Sequence, residues 1–82
     1  MIRYIVKPCS TKAAFEVVLD RRFIAGCIQS AREKGFETVA DTPFVKILRR
    51  DIKLSFFLSG KILIEGLESK EMVERFFKEN LL

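Results

Sequence analysis

The chain has 82 residues, of which 49% are hydrophobic and 32% charged, and its formal net charge at pH 7 is +4. This length predicts a single domain over residues 1–82, and the composition excludes an intrinsically disordered chain. No apolar run approaches the ~18–20 residues that cross a bilayer and no cleavable leader opens the chain, so we expect a cytoplasmic protein without a membrane partner.

The residues that usually carry catalysis or bind metals are sparse in this chain. It contains no histidine, and its two cysteines, Cys9 and Cys27, lie outside any Cys-x-x-Cys pattern. Zinc sites of the Cys/His type are therefore excluded, and we expect both thiols to behave as small apolar groups. A disulfide between the two cysteines is the alternative. No carboxylate pair has a diagnostic spacing and the glycines match no phosphate-binding loop. We predict a protein that is not an enzyme and has no metal, cofactor or small-molecule ligand.

Two strands are predicted at the start of the chain. Residues 1–7 alternate between more and less apolar side chains, and the segment 8–11 contains the Pro, Ser and Thr that are typical of turns. Residues 13–19 also alternate, which favours a strand that pairs with the first one. Their alanines and glutamate would also tolerate a helix beginning at Ser10, so these residues alone leave both alternatives open.

A helical stripe of apolar residues follows and bears on this choice. Its members are Phe23, Ile24, Cys27, Ile28 and Ala31. The apolar residues of 13–19 lie out of phase with this stripe, so we favour a strand over 13–19 and a separate helix over 20–34. Asp20 stands at the N-cap position of that helix, and Lys34-Gly35 is a plausible end.

The second half of the chain predicts further strands. Residues 37–40 form at most a short extended piece, and the alternation over 44–49 is typical of a strand. Two more strands, over 53–58 and 61–65, are joined by Ser59-Gly60, because a tight hairpin turn needs the positive φ that glycine reaches without strain. This hairpin is the clearest element of the sequence.

Alternation separates the hairpin into two faces. The apolar face consists of Ile52, Leu54, Phe56, Leu58, Ile62 and Ile64. The mixed face consists of Lys53, Ser55, Phe57, Ser59, Lys61, Leu63 and Glu65. A closing helix capped by Ser69 has an apolar stripe of Met72, Val73, Phe76, Phe77 and Leu81. Together the elements predict a two-layer α+β domain, with one antiparallel sheet and two helices on its apolar face.

The hairpin and the helix after it resemble one repeat of the TATA-box-binding protein fold. That family's hairpin reads Leu-Ile-Phe-x-Ser-Gly-Lys-Ile-Val-x-Thr-Gly, and a long amphipathic helix follows it. The matching residues are Phe57, Ser59, Gly60, Lys61, Ile62 and Gly66. The resemblance covers the C-terminal half of the chain and implies half of a saddle, so that a complete saddle would need a homodimer joining two sheets.

The resemblance also implies contacts with nucleic acid on the underside of the saddle. There the family wedges Phe side chains between base steps of the minor groove. Phe57 falls at a wedge position and Leu63 at an apolar contact, whereas Ser55 replaces an apolar residue and Glu65 replaces a threonine. A carboxylate facing the groove floor repels base acceptors and phosphates, so we do not expect sequence-specific binding of a TATA-like element.

Two functions remain open for the mixed face. We predict that Phe57 is surrounded by basic residues, namely Lys46, Arg50, Lys53 and Lys61, with Arg3 or Lys7 added from the first strand. Cations around an aromatic ring can hold phosphates and stack a base, which suggests a nucleic-acid-binding module that also uses Leu63. The alternative is a protein-interaction or homodimerising module in which Phe57 and Leu63 form an apolar patch. In that case the charges serve the solubility of a surface that resembles those of thermophilic proteins.

Overall fold

The described residues fold into one layer of six antiparallel strands and a second layer of two helices. The computed structural model describes residues 2–6 and 14–81, with the backbone alone at 2–4 and 6. The strands are β1 (Ile2–Val6), β2 (Ala14–Leu19), β3 (Glu37–Asp41), β4 (Val45–Arg49), β5 (Lys53–Phe57) and β6 (Lys61–Glu65), and the helices are α1 (Ile24–Glu33) and α2 (Lys70–Asn80). Neighbours in the sheet follow the order β1-β2-β6-β5-β4-β3.

The core lies between the two layers and takes one face from each central strand. In the hairpin of β5 and β6, the fully buried side chains are Leu54, Phe56, Ile62 and Ile64. The helices close the core with buried apolar residues, namely Ile24, Cys27, Ile28 and Ala31 of α1 and Val73 and Phe77 of α2. The predicted two-layer α+β architecture is therefore confirmed, and so is the predicted apolar face of the hairpin except at Leu58.

The ambiguous segment after residue 13 is a strand. β2 pairs with β1 on one side and with β6 on the other, and it buries Phe15, Val17 and Leu19 in the core. The strand predicted over 13–19 is thus confirmed over Ala14–Leu19. The segment 8–11, which includes Cys9, lies outside the described residues.

The first helix begins later than its cap residue predicts. The Asp20 carboxylate accepts a hydrogen bond from the Arg22 N–H at 3.1 Å, but the turn that it caps is a 3-10 turn, Arg21–Phe23. Such tighter turns are frequent at helix N-termini, and α1 itself starts at Ile24. The predicted end is close to the observed one, because Gly35 follows the last helical residues with φ of 95°.

The edge strand β3 is longer than the short extended piece predicted for 37–40. It pairs with β4 along its length, with a register shift between Thr38 and Ala40. Val39 at this shift is 58% exposed, and most other residues of β3 are exposed too. An edge strand with little buried surface has no clear hydrophobic alternation, which is why its pattern gave a weak signal.

The turn between β5 and β6 has three residues where two were predicted. Phe57 pairs with Lys61 across the hairpin, and the Gly60 N–H donates to the Phe57 carbonyl at 3.0 Å. Gly60 has φ of 118°, a conformation that side chains rarely adopt. Leu58 consequently belongs to the turn and is 37% exposed, so its placement on the buried face was wrong.

The second helix confirms its cap and corrects one member of its stripe. The Ser69 hydroxyl oxygen accepts a hydrogen bond from the Met72 N–H at 3.2 Å, as an N-cap serine does. Val73 and Phe77, one helical turn apart, are buried against the sheet. Met72 lies about 100° around the helix from Val73 and is 44% exposed, so it does not belong to the buried stripe.

Candidate functional site

The sheet face turned away from the helices, which we call the open face, carries side chains in three rows across the strands. The charged row consists of Glu65, Lys53, Arg49 and Glu37. The central row consists of Glu16, Leu63, Ser55, Ile47 and Ala40. The aromatic row consists of Val18, Lys61, Phe57 and Val45. In the described part of the chain, α1 and α2 both pack on the opposite face.

The middle of the open face is apolar. In the central row, Leu63 and Ile47 flank Ser55 from the neighbouring strands, and both are half-buried. Ser55 itself is only 5% exposed, although both helices of the described part of the chain lie on the other side of the sheet. Phe57 and Val45 of the aromatic row extend this half-buried surface. The centre of the open face is therefore less exposed to solvent than the mixed pattern of the hairpin predicted.

The lysines of the open face already have acidic neighbours. The Lys53 Nζ lies 4.0 Å from the Glu65 Oε1, and the Lys61 Nζ lies 3.7 Å from the Glu16 Oε1. The Lys61 ammonium also sits 5.1 Å from the centroid of the Phe57 ring, within reach of a cation–π interaction. Partly exposed ion pairs of this kind add little stability, but they neutralise much of the positive charge that the candidate site was expected to present.

Lys46, which was predicted on the same face as Phe57, lies on the other side of the sheet. The register places Lys46 opposite Phe56, on the helix-covered face, where its ammonium bonds to the Asp41 carboxylate. The reason is parity, since Leu48, two residues further along β4, is fully buried in the core. Lys46 is thus separated from the other candidate residues by the sheet itself.

Arg50 also leaves the candidate site and has a structural role. Its guanidinium Nη1 donates to the Lys34 carbonyl oxygen at 2.6 Å, next to the end of α1, and its Cζ lies 4.4 Å from the centroid of the Phe36 ring. Its Nε donates to the Asp51 carboxylate, and this hydrogen bond lowers the pKa of Asp51 below its usual value. Arg50 therefore ties the β4–β5 connection to the helix layer.

Of the predicted site residues, the structure brings Lys53, Phe57, Lys61 and Leu63 together on the open face. The side chains of Arg3 and Lys7 lie outside the described residues. The predicted mixed face of the hairpin contained these four residues, because strand parity alone decides on which side of the sheet they lie. The residues that were missed come from other strands: Glu16, Val18, Glu37, Val45, Ile47 and Arg49. Only the pairing register, which a single strand does not reveal, identifies them.

The charged row and the Phe57 ring lie at opposite ends of the open face, and among the described cations of this face only Lys61 lies beside the ring. At about 3.3 Å per residue, Lys53 stands about 13 Å from Phe57 along β5. The apolar central row lies between them, so the cation of Lys53 and the ring of Phe57 are not interleaved. In the described part of the chain Arg49 has no ion pair, which makes it the one cation of this face that is not neutralised by a neighbour.

The other groups with chemical potential lie apart from the open face. Cys27 of α1 is buried in the core, and burial raises the pKa of its thiol to about 11, so the thiol is protonated at neutral pH and poorly nucleophilic. Within the described residues, no three His, Cys, Asp or Glu side chains are grouped to hold a metal ion, and neither helix has the length and apolarity to cross a membrane. Comparison of the chain with family models, curated proteins and solved structures gave no match.

Proposed function

We propose that this chain is a non-enzymatic protein-interaction module whose open face docks a protein partner. The observation that carries the proposal is the apolar central row, in which Leu63, Ser55 and Ile47 form a continuous strip across three strands. Protein interfaces have such a layout, with charge depleted at the centre and polar groups at the rim. The rows of the open face provide both parts, since the charged row borders the strip on one side.

The size of the open face is compatible with this role. Three rows over five strands, at about 4.8 Å between strands and about 6.6 Å between rows, cover on the order of 500 Å². The central and aromatic rows make up about two thirds of this area, on the order of 300 Å². The largest apolar patch of a typical monomeric protein covers about 300–600 Å² and is often functional. An aromatic side chain at the edge of the strip, Phe57, supplies the kind of anchor that contributes most to protein binding.

Kinship with the TATA-box-binding protein fold is part of the proposal for the architecture. The residues that resemble that family form the β5–β6 hairpin, and the helix after it is α2. This support concerns the arrangement of elements and not the activity. The acid at Glu65, which pairs with Lys53, still argues against the family's mode of DNA contact.

Nucleic-acid binding is the second candidate function, and one contact and one unpaired cation favour it. The Lys61 ammonium lies against the Phe57 ring, and Arg49 is free of any ion pair in the described part of the chain. A base stacked on Phe57 would have its phosphate near Lys61. This candidate is weaker because Lys46 and Arg50 lie elsewhere and because acidic residues neutralise both lysines of the face.

A photo-crosslinking experiment tests the proposed function and separates it from the second candidate. A benzophenone amino acid is placed at Ile47 in the central row and, as a matched control, at exposed Gln29 on α1. Each variant is produced in its natural host, irradiated, and treated with or without nuclease. We expect a nuclease-resistant protein adduct of discrete mass from position 47 and none from position 29, with loss of the adduct when Phe57→Asp is added.

Two outcomes would contradict the interaction module. One is the absence of any adduct that depends on position 47, which would mean that no macromolecule occupies the open face. The other is an adduct that nuclease removes, which would favour the nucleic-acid candidate. Phe57 is half-buried at the surface, so Phe57→Asp should leave the fold intact, and far-ultraviolet circular dichroism checks this.

A further inference from the structure

The charges that the described side chains bring to the open face cancel. Its described anions are Glu16, Glu37 and Glu65, and its described cations are Arg49, Lys53 and Lys61, which sum to zero. A face of zero net charge does not select an acidic or a basic partner, but it can meet its own copy without net repulsion.

The order of the rows is self-complementary about one axis. Consider a two-fold axis that runs parallel to the sheet, above the central row and perpendicular to the strands. Rotation about this axis sets each strand over the same strand of the other copy. It sets the charged row of one copy over the aromatic row of the other. Glu65 then faces Lys61 of the other copy, because both residues lie on β6. Lys53 faces Phe57 of the other copy, because both lie on β5. The central row packs on itself and brings Leu63, Ser55 and Ile47 against the same residues.

From this pattern we infer that the occupant of the open face is a second copy of the chain, packed sheet against sheet about this axis. The inference rests on the proposed interaction role and names its partner. Opposite charges meet at Glu65 and Lys61, and a cation meets an aromatic ring at Lys53 and Phe57. Glu16 approaches its own copy at the margin, but the neighbouring Lys61 neutralises it. On β4 the axis sets Arg49 over Val45 of the other copy, so the complementary rim contacts are those of β5 and β6, while the apolar strips close on each other.

The proposed axis is compatible with known sheet packing, and the area of the open face indicates a weak dimer. Aligned sheets pack about 10 Å apart with their strands within about 30° of each other, which this axis permits. The face covers on the order of 500 Å², below the roughly 800 Å² per partner of a standard stable interface. The dimer is therefore reversible and dissociates on dilution.

Two charge-reversed variants test the axis. In Lys61→Glu, position 61 repels Glu65 of the other copy, and in Glu65→Lys, position 65 repels the other Lys61. Each variant alone should dimerise at least tenfold more weakly than wild type. In an equimolar mixture, a heterodimer restores both attractive contacts, so dimer should return. Sedimentation equilibrium gives the masses, and native mass spectrometry distinguishes heterodimer from homodimer. Lys70→Glu and Glu79→Lys, at exposed positions of α2, are the matched control pair and should change nothing.

The results that overturn the inference differ from those that overturn the proposed function. A wild-type chain that stays monomeric at millimolar concentration would refute the second copy as partner, and variants that do not recover on mixing would refute its packing about this axis. If the adduct at position 47 then has the mass of another protein, the interaction module stands with a different occupant. Should a charge reversal prevent folding, the milder variants Lys61→Gln and Glu65→Gln, together with the wild-type mass, still decide the question.

Discussion

Replacing Phe56 by alanine is expected to lower the free energy of unfolding by about 3–5 kcal/mol. Phe56 is fully buried in β5 between the sheet and the helices, so its removal leaves a cavity as well as losing apolar contact. Domains of this size are typically stable by about 4–12 kcal/mol, and the loss is therefore a large share of the total. Urea unfolding followed by circular dichroism measures it from the shift in midpoint at constant slope.

The next residue along the same strand is the matched control. Phe57 has the same side chain but points to the open face and is only half-buried. Phe57→Ala should cost about 1 kcal/mol in the monomer, because less apolar surface leaves a packed environment. Similar losses for the two variants would show that the faces of β5 are not separated as described.

Replacing Gly60 by alanine is expected to destabilise the protein by at least about 2 kcal/mol, because the new side chain is both strained and obstructed. Gly60 has φ of 118°, and a Cβ built there would lie 2.5 Å from the Leu19 carbonyl oxygen. That oxygen belongs to the backbone of β2, which cannot move away without disturbing the pairing of β2 with β6. Thermal and urea unfolding should both show the loss.

Gly26 provides the opposite case within the same chain. It lies inside α1, has ordinary helical surroundings, and an added Cβ would meet nothing within 4 Å. Gly26→Ala should therefore stabilise the protein by about 0.5–1 kcal/mol through helix propensity. An equal effect of alanine at both glycines would contradict the geometry of the β5–β6 turn.

Elements with strong local patterns could be predicted from the sequence, and the hairpin is the best example. Phe56 and Ile64 are buried as their parity required, and Ser69 caps α2. The start of α1 was less predictable, because a capping aspartate serves a 3-10 turn as well as an α-helix. β3 was underestimated because an exposed edge strand needs no apolar alternation.

The candidate site was only partly predictable because it spans several strands. Parity along the two strands of the hairpin placed Lys53, Phe57 and Lys61 correctly on one side. Whether a neighbouring strand contributes Lys46 or Ile47 to the same face depends on which of its two sides meets the core, and the pairing register decides this. The neutralising contacts of the lysines also depend on residues brought in from β2, such as Glu16.

The described helices leave the open face uncovered within one chain, and we propose that a protein partner covers it. A soluble gadolinium chelate tests both parts, because it speeds the relaxation of solvent-exposed methyl groups. In dilute solution we expect strong enhancement at Ile47 and Leu63 and little at Ile62 and Leu54, which are buried on the other face. As the protein concentration rises, the enhancement at Ile47 and Leu63 should fall, while exposed Val39 stays unchanged. Equal relaxation enhancement at all four residues in dilute solution would contradict the separation of the two sheet faces. Enhancement at Ile47 and Leu63 that changes neither with protein concentration nor with an added partner would contradict the proposed covering of the open face.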